Sequence, residues 1–182
     1  AAAAFSLANL VAHHNPKRAK NLYEFAMETG SVEIRAEAAS NLATLLKSQD
    51  PEKAESLYEW ATKLGSATAM ANLAFLIQNR DPNRAEILNE RAIDLGSSTA
   101  MNNLACLIKE TKPDEMGKAI KLFEQAIELG EPAAMFHLGE LLEEGIENTL
   151  EKDVGRAIQL HKQALELGEN RSQEALKRLG AQ

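Results

Sequence analysis

Between Asp50 and Gly65 the apolar side chains Ala54, Leu57, Tyr58, Ala61 and Leu64 recur at gaps of three, one, three and three residues. Three to four residues make one helical turn, so all five fall on a single stripe of a helix. Asp50 stands where a side-chain oxygen can accept from the free N–H groups of the first turn, and Pro51 follows it, where a missing N–H costs nothing. Gly65 closes the stripe with the residue best suited to a left-handed stop.

The same phrase is written five times. Gly30, Gly65, Gly96, Gly130 and Gly168 each close it, and eleven residues before each stands an alanine: Ala19, Ala54, Ala85, Ala119 and Ala157. Four residues earlier again come Asn15, Asp50, Asp81, Glu115 and Asp153, with Pro16 and Pro82 repeating the proline of Pro51. A second stripe precedes each phrase. It carries Leu7, Leu42, Leu73, Leu104 or Leu138, with an alanine four residues before: Ala3, Ala38, Ala69, Ala100 or Ala134. Ser66 and Ser97 are placed to cap these first helices, and Pro132 to sit in a first turn. The glycines recur at 35, 31, 34 and 38 residues, which is the spacing of a solenoid. Small residues at a fixed register mark where paired helices cross closely, so the alanine column predicts buried contacts.

This pattern predicts an all-α solenoid of five two-helix repeats, approximately 1–30, 31–65, 66–96, 97–130 and 131–168, with a capping helix at 169–182, all in one domain. Ten repeat helices and a terminal one are expected, with no strand. The turns should be short except near 111–116 and 144–152, because the leucine-to-alanine distance is 15 and 19 residues in the last two pairs against 12 in the first three. Gly65 and Gly96 are expected at positive φ.

Composition sharpens this without changing it. Aromatic residues make up 4% of the chain, and the apolar content leans on Ala and Leu, which head the helix scale. A formal net charge of -7 argues against a nucleic-acid partner. Cys106 has no second cysteine to pair with, so nothing requires an oxidising compartment and the reading leans to an intracellular protein. No stretch is long and apolar enough to enter a membrane as a spanning helix, and Ala1 to Ala4 lack the basic flank of a signal peptide.

The last full unit reads Ala134-Met135-Phe136-His137-Leu138-Gly139-Glu140-Leu141, then Gly145, Asp153-Val154-Gly155-Arg156-Ala157, Gln163-Ala164 and Leu167-Gly168. These residues resemble the Sel1-like repeat family, a relative of the tetratricopeptide repeats, and the resemblance covers essentially the whole chain. The first three units depart from it: they lack the glycine-rich inner loop, and alanine replaces the glycine after the key leucine. The resemblance implies a superhelical adaptor or scaffold whose first helices line a concave groove. It therefore implies a protein or peptide partner, no cofactor and no small-molecule substrate.

In that frame the residue before each key leucine faces the groove: Ser6, Asn41, Asn72, Asn103 and His137. The residue two after it joins the same wall: Asn9, Thr44, Phe75, Cys106 and Glu140. Asparagine offers both a donor and an acceptor, which suits holding an extended peptide by its backbone. The competing reading is that the asparagines only bond to neighbouring backbone and fix the stacking of the repeats. No catalytic residue is assigned, since the chain has no nucleophile elbow, P-loop or dinucleotide fingerprint. No metal site is assigned, since none of His13, His14, His137 and His161 forms an i, i+4 pair. His137 with Glu140 and Glu143 reads as a solvated acidic edge, Trp60 as core and Cys106 as a partly buried filler. A permanent subunit of a fixed assembly is the alternative to an adaptor, and affinity behaviour separates the two.

Overall fold

A computed structural model describes residues 1–181. Among them are eleven α-helices and no strand: α1 (Ala2–Val11), α2 (Pro16–Thr29), α3 (Val32–Leu46), α4 (Pro51–Lys63), α5 (Ala67–Ile77), α6 (Pro82–Asp94), α7 (Ser98–Thr111), α8 (Met116–Glu128), α9 (Pro132–Glu144), α10 (Val154–Glu166) and α11 (Arg171–Arg178). The terminal helix is thus shorter than the expected 169–182, whose last residue lies outside the described ones. The chain groups into two compact units, Ala1–Ala100 and the part from Met101 onward.

The starts of the second helices follow the reading. Asn15, Asp50, Asp81 and Asp153 each accept from the backbone N–H three residues on, at 3.1, 3.1, 3.0 and 2.8 Å. Glu115 does not. A short 3₁₀ turn at Pro113–Glu115 occupies that place, and no side-chain cap forms before α8. Its longer side chain departs from the Asp/Asn geometry that serves the other four helices. Ser66 and Ser97 cap the helices that follow them, accepting from Ala69 and Ala100 at 3.1 and 3.2 Å.

The stops are of two kinds. Gly65 and Gly96 sit at φ of 91° and 84°, with nothing within 4 Å of where a Cβ would be, so it is the backbone conformation that selects glycine. Gly30 instead is extended, at φ -83°. A Cβ there would lie 2.6 Å from the Ala26 carbonyl oxygen and 2.8 Å from Ile34 Cγ2, so this glycine is selected by close approach.

Within each unit the core is made of the alanine columns and their leucines. Ala19, Ala54, Ala85, Ala119 and Ala157 are completely buried, as expected of a helix-crossing register. So are Ala38, Ala69, Ala100 and Ala134, whereas Ala3 on α1 is exposed. Trp60 corrects the sequence reading. It is only half-buried and lies under the Arg35 guanidinium, 5.3 Å from the ring centroid, so a cation rather than the core covers its face.

The longest connection, 145–153, is a closed hairpin rather than an open loop. Gly145 ends α9 at φ 74°, Ile146 and Leu150 form an isolated antiparallel bridge, and Asn148 turns the tip at φ 59°. Asp153 N–H returns to the Leu142 carbonyl at 2.9 Å, which joins the two stems.

Candidate functional site

The candidate residues lie on α1, α3, α5, α7 and α9, the first helices of the pairs. In the first unit, α1 and α3 bring Asn9 and Asn41 together. Asn9 Oδ1 accepts from the Tyr23 hydroxyl at 2.7 Å and from Asn41 Nδ2 at 2.9 Å. The two contacts tie the Asn9 and Asn41 amides into one unit, whose members each turn one polar group toward the other and leave one over. Asn9 Nδ2 and Asn41 Oδ1 are then left with no protein partner among the described residues. They border a groove of about 420 Å³ that Tyr23, Thr44, Leu45 and His13 also line.

The second helices hold this face from behind. Tyr58 lies 2.8 Å from Thr44 Oγ1, and the Thr44 hydroxyl reaches the Ser40 carbonyl at 3.1 Å. With the Thr44 proton so engaged, Tyr58 is the donor. Burial raises the pKa of both the Tyr23 and Tyr58 phenols above the ordinary value, which keeps them protonated. Beyond Thr44 the face continues with Asn72, half-buried, and Phe75, which is 60% exposed. Of the large apolar side chains among the described residues only Leu10 is more exposed.

The second unit places its candidates differently. Asn103 is only 8% exposed. His137 is half-buried between Phe123 and Phe136, with ring centroids 5.9 and 5.3 Å away, and its Nδ1 lies 3.4 Å from Glu140. Burial first, then the nearby Lys109 and Arg171 charges, hold its pKa below the ordinary imidazole value despite Glu140. Burial likewise pushes the Cys106 thiol up to about 11, the opposite of what a nucleophile needs. The asparagine column is therefore not one uniform wall: Asn41 bonds to a neighbouring repeat, Asn72 is partly open, and Asn103 is mostly covered.

Glu143 overturns the reading of a solvated edge. Its side chain is 10% exposed and is held by two helices that follow it in sequence. His161 Nε2 on α10 lies 2.9 Å away, and Arg178 on α11 donates from Nη2 to both carboxylate oxygens at 2.9 and 2.8 Å and from Nε at 3.3 Å. His161 is fully buried against Phe136, and Gly139 makes room for it: a Cβ at 139 would stand 2.7 Å from two ring atoms. Arg171 adds a second tie, with its guanidinium 4.4 Å over the Phe136 ring and its Nε and Nη2 donating to the two Glu169 oxygens. That bond holds the Glu169 carboxyl below its ordinary pKa. Sequence reasoning missed this cluster. The available signal was His161 in a column otherwise held by Tyr23, Tyr58, Asn89 and Phe123, opposite a glycine where other pairs have alanine.

A family model described as the Sel1 repeat matches residues 36–66, 67–97, 98–131 and 132–169, well over half of the chain. The chain belongs to the Sel1 repeat family. The last three matched Sel1 repeats start one residue after the glycine-to-glycine division and the first starts five residues after it, inside α3, so the helix pair α1–α2 precedes them all. Among solved structures, a Sel1 repeat protein from Oxalobacter formigenes is similar with 18% identity and a TM-score of 0.74, over 100% of this chain and 81% of that one. A protective antigen of uropathogenic Escherichia coli with the same repeat fold gives 23% identity and a TM-score of 0.73, over 97% of this chain. This Sel1 chain spans only 40% of that antigen's length. An immunity protein from Pseudomonas aeruginosa gives 22% identity and 0.72, covering 93% of this chain and 66% of that one. No curated protein matches the sequence. The likenesses share the fold, an α-solenoid, and Sel1 repeats as a family mediate protein interactions and are typically non-catalytic. Among the described residues no three His, Cys, Asp or Glu side chains gather as metal ligands would, and no helix is long and apolar enough to cross a membrane.

Proposed function

We propose that this Sel1 repeat protein is an adaptor that holds an extended segment of a partner protein along its first helices. The observation that carries the reading is the bonded amide pair of Asn9 and Asn41. Their outward donor and acceptor match the N–H and C=O of a peptide backbone, which makes capture tolerant of the partner's side chains. Thr44 and Asn72 extend the polar track, and Phe75 supplies an apolar anchor of the kind that dominates interface energy. Asn103, His137 and Glu140 are the corresponding positions of the second unit, where burial leaves fewer free groups for a ligand.

A permanent subunit role is the second reading, favoured by the exposure of Leu10 at 75%. The two separate by behaviour. An adaptor is monodisperse alone and releases its partner, whereas a permanent subunit co-purifies in fixed ratio or aggregates.

The test is quantitative affinity purification with Asn72→Ala combined with Phe75→Ala. Both side chains are at least partly open, so melting should move by no more than a degree or two while recovery of the specific partner falls at least tenfold. Undiminished recovery with unchanged melting would place the partner elsewhere.

A further inference from the structure

In the first unit, two ion pairs tie α4 to α6 and to the turn that leads into it. Arg80 meets Glu55 at 2.6 Å and Arg84 meets Glu59 at 2.8 Å. Both members advance by four residues from rung to rung, so a third rung would set residue 63 against residue 88. Those residues are Lys63 and Leu88, so the rung has no carboxylate. At that point the surface opens into a groove of about 450 Å³. Leu73 and Leu88 form its buried floor, Ile87 stands 56% exposed on its wall, and Lys63, Arg84 and Arg91 rim it with Glu59 as the one acid.

Two features set this place apart from the rest of the repeat array. The position two residues after the fixed alanine is Asn21, Ser56, Lys121 or Gln159 in the other pairs and Ile87 only here. The rim is also cationic on a chain whose net charge is -7, and neither Lys63 nor Arg91 has an ion-pair partner among the described residues. An apolar floor beside unpaired cations is complementary to a side-chain carboxylate flanked by an aliphatic or aromatic group.

We propose that the α4–α6 groove docks an acidic, apolar segment of a partner protein, whose carboxylate sits between the rim cations Lys63 and Arg91 where the ladder of ion pairs stops, while its neighbouring side chain covers Ile87 and Leu88. Apart from the buried Leu73 of α5, the groove is lined by the second helices α4 and α6, and none of the asparagines of the first proposal lines it, so the two proposals fail independently. Exposed ion pairs contribute little each and are screened by salt, so binding is modest and depends on ionic strength.

The probe is a fluorescein-labelled peptide of alternating leucine and glutamate, with a glutamine-for-glutamate control. Anisotropy gives affinity, and methyl-resolved NMR of the full chain gives location. The expected result is a shift of the Ile87 and Leu88 methyl signals by the glutamate peptide. Affinity should be at least about fivefold weaker for the glutamine control and for Lys63→Gln with Arg91→Gln, and weaker again when salt rises from about 0.05 to 0.3 M. Ile87→Asp is a second variant that should abolish the shift, and the circular dichroism melt of each variant verifies folding. Equal binding of the two peptides, an unaffected charge variant, or shifts confined to Phe75 and its neighbours would overturn the proposal. Ile87 shifts that track protein concentration without peptide would also overturn it, by making a second copy of this acidic chain the occupant.

Discussion

Gly139→Ala should destabilise the protein, and the same substitution should stabilise it once His161 is gone. A Cβ on residue 139 would lie 2.7 Å from His161 Cε1 and Nε2. Ordinary carbon contact needs about 3.5 Å or more, so the ring must retreat by about 0.8 Å. The Nε2–Glu143 contact of 2.9 Å then stretches toward the limit of a hydrogen bond. Overpacking of this kind costs about 1–3 kcal/mol, while alanine regains about 1 kcal/mol of helix propensity over glycine in the middle of α9. The net is a loss of up to about 2 kcal/mol. In a His161→Ala background the clash disappears and only the propensity gain remains, so the sign reverses to a gain of about 1 kcal/mol. Urea unfolding followed by circular dichroism on the four members of the cycle measures both effects. If Gly139→Ala changes stability equally in both backgrounds, the packing of His161 against residue 139 is not what selects glycine.

Three further outcomes follow from local geometry. Gly65→Ala and Gly96→Ala should each cost about 1–2 kcal/mol through left-handed strain alone, whereas Gly117→Ala, inside α8 and equally uncrowded, should be neutral or stabilising; thermal melts rank the three. Asp50→Ala and Asp81→Ala should each lose about 1 kcal/mol of cap stabilisation, while Glu115→Ala, which caps nothing, should leave the urea midpoint in place. Cys106, with its thiol pushed up to about 11, should react with a disulfide reagent at pH 8 far more slowly than a free cysteine, and denaturant should remove the difference. Fast labelling of the folded protein at pH 8 would contradict that.

The repeat frame was readable in the sequence because its signals are local. A cap, a stripe and a glycine stop all lie within one helix, so Asp50, Ala54 and Gly65 announce α4 without any knowledge of its neighbours. Glu115 looked like its column mates, but the inserted residues ahead of it form a 3₁₀ turn that takes over the start of α8. The candidate face was legible only in part. Column arithmetic brings Asn9 and Asn41 to one surface, but their direct bond, and the Tyr23 hydroxyl that joins it, depend on how far a tyrosine reaches across a helix pair. Glu143 shows the larger gap. Its partners His161 and Arg178 are 18 and 35 residues away and arrive only when α10 and α11 pack on α9. Along the chain Glu143 has acids for company, and nothing local distinguishes it from a solvated charge. Trp60 failed for the same reason, since Arg35 covers it from the preceding helix.

The hairpin at 145–153 has a use of its own in protein engineering. Its two stems are tied to each other by the Ile146–Leu150 pairing and to α9 through the Leu142 carbonyl, so the tip at Glu147, Asn148 and Thr149 hangs outside every contact that holds the helices in place. Lengthening an already closed loop costs only the slow logarithmic rise of loop entropy, about 0.6 kcal/mol per doubling. A tag, an epitope or a fluorescent reporter inserted between Asn148 and Thr149 should therefore ride on the folded protein without loosening it. That makes the tip a natural attachment point for following a partner's arrival on the helical faces.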